Sequence, residues 1–330
     1  MTKPILEIRG VSKRFSKKLD IAGRLARRFG AAISEETVHA VDNVDLDIAK
    51  GEVLGLVGES GCGKSTLGRV VAGIHPASDG ALLYEGRVIT KKRSDKAATL
   101  AIQMIFQDPF ASLNPRMRVE DIIGEAPRLH GLVAAAEIPA YVDDVMRKVG
   151  LDPTLKKRYA HQFSGGQRQR IGIARALAVK PDFLVCDEAI AALDVSIQAQ
   201  VINLFMDLRK ELELTYLFIS HDLSVVEHIA DRVAIMYLGR IVEIAATEEI
   251  FADPKHPYTK ALLAEAPRLD QRKRDFTPVK GEIPSPLDPP PGCHFNPRCP
   301  MANDKCRAER PQLEEISPVR AVSCHHWRDA

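Results

Sequence analysis

The sequence lacks any run of 18 apolar residues, so no stretch of it reads as a membrane-spanning helix. Its opening, Met1-Thr2-Lys3-Pro4-Ile5-Leu6-Glu7, has no apolar segment of the kind that forms a secretory signal. Net charge is nearly absent, at +2 over 330 residues, and no basic stripe is visible. There is therefore no electrostatic case for a nucleic-acid binder. Internal repeats and low-complexity tracts are missing too. The expectation is a chain that stays in the cytosol, where disulfides are disfavoured. Close C-x2-C pairs are absent, although there are six cysteines and four of them gather near the C-terminus.

What is present is an ordinary globular composition, 45% apolar and 27% charged, long enough for a large domain with a smaller one. The chain is organised around Gly58-Glu59-Ser60-Gly61-Cys62-Gly63-Lys64-Ser65, which fits the phosphate-loop pattern G-x-x-x-x-G-K-[ST]. The apolar run 53–57 before it reads as a buried strand, and the residues from Thr66 onward read as a helix opening. That context lets backbone N–H groups and the helix dipole face an anion. Lys64 would reach the β- and γ-phosphates, and the Ser65 hydroxyl would hold Mg2+.

Taken in order, alternation at 5–8 and 11–15 predicts strands, and the basic segment 16–36 interrupts them as an insertion with a short amphipathic pattern. Strands are predicted at 38–48, at 82–84 and 87–89 as a hairpin around Glu85-Gly86, and at 102–107. Helical patterns follow near 119–130, 134–149 and 153–160. A strand at 183–187, a helix at 195–212, a strand at 215–220, a helix at 223–230 and a closing hairpin complete the pattern. Strands alternating with helices predict a mostly parallel sheet covered on both faces. Prolines at 278, 284, 286 and 289–291 mark a linker.

The apolar strand 183–187 ends in Asp187, placing a carboxylate where ligands collect in a parallel sheet. Asp187 suits the acid that holds Mg2+ beside a phosphate loop, and Glu188 suits the group that orients or deprotonates an attacking water. Ser164-Gly165-Gly166-Gln167 opens another helix, and its glycines make a second candidate anion site.

With these motifs together, the region from about residue 5 to 267 resembles the ATP-binding subunit of an ABC transporter. Ser164-Gly165-Gly166-Gln167 matches that family's signature motif. The resemblance implies an α/β fold, an ABC-type phosphate-loop ATPase domain with a mixed sheet and helices on both faces. It implies an ATP-binding domain over 1–267, with a helical subdomain at about 108–165. A Pro-rich linker would follow at 268–291, and a cysteine-cluster extension at 292–330. ATP and Mg2+ are the implied ligands, and the signature motif would close over ATP held on a second subunit. Phe15 would stack on adenine. Gln107 matches the loop that senses Mg2+ and the attacking water, His221 the switch histidine at the γ-phosphate, and Asp194 the loop that crosses the dimer interface. One departure is Ala189-Ile190-Ala191, where the family usually has Pro-Thr-Ser before Ala-Leu-Asp. It puts local stiffness and turnover rate in doubt.

Ser112-Leu113-Asn114-Pro115-Arg116 and the segment 256–263, His-Pro-Tyr-Thr-Lys-Ala-Leu-Leu, resemble the oligopeptide and dipeptide importers, in the form of the second ATPase such systems carry. The implied partners are a different ABC ATPase, two membrane permease subunits and an extracytoplasmic solute-binding protein, with this chain peripheral on the cytoplasmic face of the membrane. Cargo such as nickel or glutathione is the alternative, and a non-transport ABC ATPase a more distant one. Cys293, Cys299, Cys306 and Cys324 follow the spacing C-x5-C-x6-C-x17-C, and four thiolates suit zinc or an iron–sulfur cluster. The resemblance favours [4Fe–4S], with zinc as the alternative. Cys62 and Cys186 read as small packing residues.

Overall fold

The computed structural model describes residues 3–16, 36–89, 96–265 and 281–328. The first strands are β1 (Pro4–Ser16), β2 (Thr37–Ala49), β3 (Val53–Val57), β4 (Asp79–Tyr84), β5 (Arg87–Ile89) and β6 (Ile102–Ile105). Then come β7 (Phe183–Asp187), β8 (Thr215–Ile219), β9 (Arg232–Tyr237), β10 (Arg240–Ala246), β11 (Glu314–Ser317) and β12 (Arg320–Val322). A small antiparallel sheet has the order β2-β1-β4-β5. A large mixed sheet has the order β11-β12-β10-β9-β3-β8-β7-β6, parallel from β9 to β6 and antiparallel beyond β9.

The central strands are apolar on both faces because both faces are covered. Val53, Val57, Leu184, Cys186, Tyr216 and Phe218 point into one core, while Leu54, Leu56, Phe183, Val185, Leu217 and Ile219 point into the other. The first core takes the helices Gly165–Leu177, Val195–Leu212 and Leu223–Ile229. Helix Val195–Leu212 meets it with Val201, Ile202, Phe205 and Leu208, a single stripe at helical spacing. Each such fully buried side chain contributes about 1.5–3 kcal/mol. The second core is closed by the helix Lys64–Val71 and the small antiparallel sheet. Helices on both faces were the expectation; the second face is shared between a helix and a sheet, because β1 and β2 supply Leu6, Ile8, Val44 and Ile48 as an apolar surface of their own.

Local differences from the sequence reading have identifiable causes. The helix expected at 134–149 starts at Ile138, with Pro139 in its first turn. The helix expected at 153–160 is two short 3-10 turns, Pro153–Leu155 and Ala160–Gln162. Between them the backbone serves the neighbouring helix, whose Val119 and Glu120 N–H groups donate to the Arg158 and Lys156 carbonyls at 3.0 Å. The two strands expected before residue 16 are one strand, irregular around Gly10. The strand expected at 102–107 stops at Ile105. Nearly all of the basic insertion at 16–36 lies outside the described residues.

The C-terminal extension does not stand apart. Strand β12 pairs antiparallel with β10, so the division expected at 291–292 does not interrupt the large sheet. Phe295 is buried in the same core as Tyr237 and Tyr258. Within the proline-rich stretch, the Pro286 carbonyl accepts a hydrogen bond from the His39 N–H at 3.0 Å. A segment too small to build its own core has joined the core already there.

Candidate functional site

The loop between β3 and the helix Lys64–Val71 is shaped by positions that admit only glycine. Gly63 sits at φ +111°, and a Cβ there would lie 2.1 Å from the Ala40 carbonyl oxygen. A Cβ on Gly58 would lie 2.1 Å from the Met236 carbonyl oxygen. The strands β2 and β9 therefore press the loop from two sides, leaving Ser60 and Gly61 at its exposed tip. Cys62 and Cys186 are buried packing residues, as expected. Thr66, half-buried, lies in the first turn of the helix. Lys64 is folded back and buried, its Nζ donating to the Gly58 and Glu59 carbonyls at 2.7 and 3.0 Å. Phosphate oxygens are the natural replacements for those carbonyls at a helix start.

The Ser65 hydroxyl donates to Asp187 Oδ1 at 2.7 Å, across 122 residues of sequence. Burial pushes the Asp187 pKa up, opposed by that hydrogen bond and by the Arg69 guanidinium. A buried carboxylate beside a hydroxyl oxygen suits a hard divalent cation with oxygen ligands.

Glu188 follows in a left-handed backbone conformation, φ +47°, uncommon for a residue with a side chain. Its N–H is anchored on the Ile219 carbonyl at 3.0 Å. Its carboxylate gathers two further predicted residues: Gln107 Nε2 donates to Oε2 at 2.6 Å, and His221 Nδ1 lies 3.5 Å from Oε1. Gln107, Asp187, Glu188 and His221 all sit just at or beyond the C-terminal ends of parallel strands β6, β7 and β8. That edge is where an open parallel sheet places its ligands. Asp222 supports the histidine's position by capping the next helix, accepting from the Ser224 and Val225 N–H groups at 2.9 and 3.4 Å.

The other predicted residues form a second, separate group. Ser164 and Gln167 close a reciprocal capping box: the Gln167 N–H donates to Ser164 Oγ at 3.3 Å and the Ser164 N–H to Gln167 Oε1 at 3.1 Å. Gly165 and Gly166 pack on the next helix region, where a Cβ on Gly166 would lie 2.7 Å from Ile197. Asp194 heads the helix Val195–Leu212, exposed and with no side-chain capping bond. Among the described residues, no hydrogen bond or ion pair joins this group to the phosphate loop. The departure at 189–191 places Ala189 and Ile190 in the core. Phe15 lies partly exposed on β1, with Lys13 Nζ 4.8 Å above its ring and His75 at its edge.

All four late cysteines are free thiols. Burial raises Cys299 and pushes Cys293 and Cys324 up to about 11, and Cys324 feels the charge of each of the other three. They are neighbours, yet among the described residues no three His, Cys, Asp or Glu side chains converge closely enough to hold one metal ion.

Two residues to which the sequence reading gave no role at the site touch the phosphate loop. Arg298 makes two hydrogen bonds to the Glu59 carboxylate, at 2.8 and 2.9 Å, and the Tyr258 hydroxyl accepts the Glu59 N–H at 2.9 Å. The first contact spans 239 residues, beyond the reach of any local pattern.

The profile of the ABC transporter family matches residues 41–191, and that of the oligopeptide/dipeptide transporter C-terminal region matches 242–306. The chain is similar to the oligopeptide transport ATP-binding protein AppF of Bacillus subtilis, 47% identical over 327 residues and 97% of each chain. It is 49% identical over 300 residues to the dipeptide transport ATP-binding protein DppF of Haemophilus influenzae, covering 90% of this chain and 92% of that one. Among solved structures it is similar to cbiO1 of Clostridium perfringens, part of the ABC transporter complex cbiONQ. There the TM-score is 0.62 at 27% identity, over 76% of this chain and 92% of that chain.

Proposed function

The chain belongs to the ATP-binding proteins of oligopeptide and dipeptide ABC transporters and is an ATP hydrolase coupled to transport, and from that premise we propose that it powers import of di- or oligopeptides through separate membrane permease subunits. The observation that carries the reading is the convergence of Gln107 and His221 on Glu188, next to the Ser65–Asp187 pair. No helix among the described residues is long and apolar enough to cross a membrane. The permeases would supply that path, with this chain peripheral on their cytoplasmic side. An extracytoplasmic binding protein would deliver the peptide.

On this reading ATP is the substrate, cradled by residues 58–66 with its adenine against the Phe15 ring. Lys64 leaves the Gly58 and Glu59 carbonyls for the β- and γ-phosphates. Ser65, Asp187 and Gln107 would hold Mg2+, which when bound would supply neutralisation of charge on the phosphoryl oxygens. Glu188 accepts the proton of the attacking water, and His221 contacts the γ-phosphate. Charge stabilisation and positioning supply most of the rate. Ser164, Gly165, Gly166, Gln167 and Asp194, apart from the chain's own loop, complete the site of a second ATPase subunit. That partner is a different ABC ATPase. The domain division proposed is 1–267, with its helical part at 108–165, a connecting stretch at 268–291, and 292–330 as the cysteine region.

For the four cysteines we favour a [4Fe–4S] cluster. What supports it is four free, half-buried to buried thiols whose charges are felt at Cys324, the ligand type that holds iron–sulfur clusters. Stoichiometric iron and sulfide in anaerobically purified protein are expected; zinc alone would overturn the assignment. Cargo is tested by uptake of a labelled dipeptide and a labelled longer peptide in cells carrying Lys64→Ala and no redundant importer. Loss of uptake is expected, and unchanged uptake of both would move the cargo to nickel, glutathione or another small solute.

A further inference from the structure

We propose that Arg298, carried by the cysteine-bearing extension, is a positioning residue of the phosphate loop: it neutralises the Glu59 carboxylate so that the loop accepts an anionic polyphosphate. The inference rests on the reading of that loop as the nucleotide site. Glu59 is the first residue after Gly58, so its carboxylate is a negative charge built into the cradle itself. Left alone it would oppose phosphate binding, because like charges within a few ångströms at a partly desolvated site repel strongly.

Arg298 answers that charge with unusual completeness. Its two terminal nitrogens engage the two carboxylate oxygens separately, at 2.8 and 2.9 Å, the parallel geometry in which a guanidinium binds a carboxylate best. The Arg298 side chain is only 5% exposed and that of Glu59 20%, so water contributes little screening. The rings of Tyr237 and Phe295 lie 5.8 and 6.0 Å from the guanidinium carbon and fix its approach. Those rings lie 5.3 Å apart between centroids and pack on Tyr258 at 4.7 and 5.4 Å. Tyr258 in turn holds the Glu59 N–H. The Glu59 carbonyl is left to Lys64. One loop residue is therefore held at its N–H and carboxylate by side chains from 258–298, and at its carbonyl by the lysine of the phosphate loop.

The neighbouring backbone is tied in the same direction. The Gly239 N–H donates to the Cys62 carbonyl at 2.8 Å, and His294 Nδ1 donates to the Leu238 carbonyl at 3.3 Å. The extension thus reaches the loop through an ion pair and through the β9–β10 turn. Only the ion pair carries charge to Glu59, and this separates an electrostatic role for Arg298 from that of a mechanical prop.

The test is equilibrium binding of MgATP to the full-length protein, read with a fluorescent ATP analogue, and steady-state hydrolysis. Arg298→Gln is expected to weaken binding about tenfold, the size of a lost hydrogen-bonded charge pair, raising KM and leaving kcat within about twofold. Glu59→Gln, which removes the charge that needs an answer, sets the reference level of binding for the double variant. Adding Glu59→Gln to Arg298→Gln should restore binding to that level. Arg298→Lys keeps the charge but loses the double contact, and is expected to weaken binding about threefold, again restored by Glu59→Gln. This lysine pair decides the matter if Arg298→Gln does not fold. Unchanged binding in the Arg298 variants, or a loss that persists with Glu59→Gln present, overturns the proposal. A Lys64→Ala protein that binds MgATP as well as the wild type would instead overturn the nucleotide reading beneath it.

Discussion

Around the phosphate loop, buried polar groups are held in arrangements that a ligand would change. Lys64 rests on carbonyls, Asp187 is raised by burial, and Glu188 keeps a backbone conformation that side chains avoid. At the sheet edge that the extension joins, a buried carboxylate is held by partners from this chain. Glu243, fully buried, takes the Arg320 guanidinium at 2.6 Å and the Lys255 and His256 N–H groups at 2.9 Å each. Arg320 also donates to the Asp253 carbonyl. The same ingredients, burial and charge, serve a change of state in one region and permanence in the other. The difference is whether the partners come from this chain or are left for a ligand.

If that contrast is right, a substitution at the loop should cost activity while sparing the fold. Glu188→Gln is expected to lower turnover about 10²- to 10⁴-fold while MgATP is retained. Single-turnover hydrolysis beside nucleotide binding checks it, and near-wild-type hydrolysis would remove Glu188 as the base. A substitution at the sheet edge should do the reverse. Arg320→Met strands the Glu243 charge in the core and is expected to cost about 3–5 kcal/mol of unfolding free energy, read by urea denaturation. A loss below about 1 kcal/mol would mean that the two N–H donors satisfy Glu243 unaided.

A smaller and graded effect belongs to His256, which burial keeps neutral and pushes down to about 3. Its Nδ1 accepts the Tyr258 N–H at 3.0 Å, so the neutral form is the one the fold uses. Between about pH 6.5 and 3 the unfolded chain binds a proton that the folded chain refuses. Stability from this group is therefore complete above about 6.5 and falls by about 1.4 kcal/mol per pH unit below it. His256→Gln should flatten that part of the stability–pH curve; an unchanged slope would place the titration elsewhere. The smallest expected effect is that of Ser164→Ala, which removes a helix cap and should cost about 1 kcal/mol. Thermal melts of the isolated chain measure it, and a null result would mean that Gln167 alone holds the helix start.

Much of the fold could be read from local pattern because its causes are local. The buried strand before Gly58, the helix opening at Lys64, the apolar strand ending in Asp187 and the helix 195–212 each follow from spacing and capping within a few residues. The two turns at 153–162 were misread as a helix because their backbone groups are claimed by Val119 and Glu120, which periodicity does not register. The gathering of Gln107 and His221 on Glu188 depends on three strands lying side by side.

Which residues are available for phosphate, cation and proton follows from the order of residues alone, since glycine at Gly63 and a carboxylate at the end of β7 are demands of chemistry and backbone sterics at single positions. Which group neutralises Glu59, and where the extension comes to rest, depend on packing between distant segments. Burying Phe295 beside Tyr237 and Tyr258 draws Arg298 to the loop across 239 residues, and hydrophobic burial, being non-directional, leaves no trace of its partners in the order of the chain.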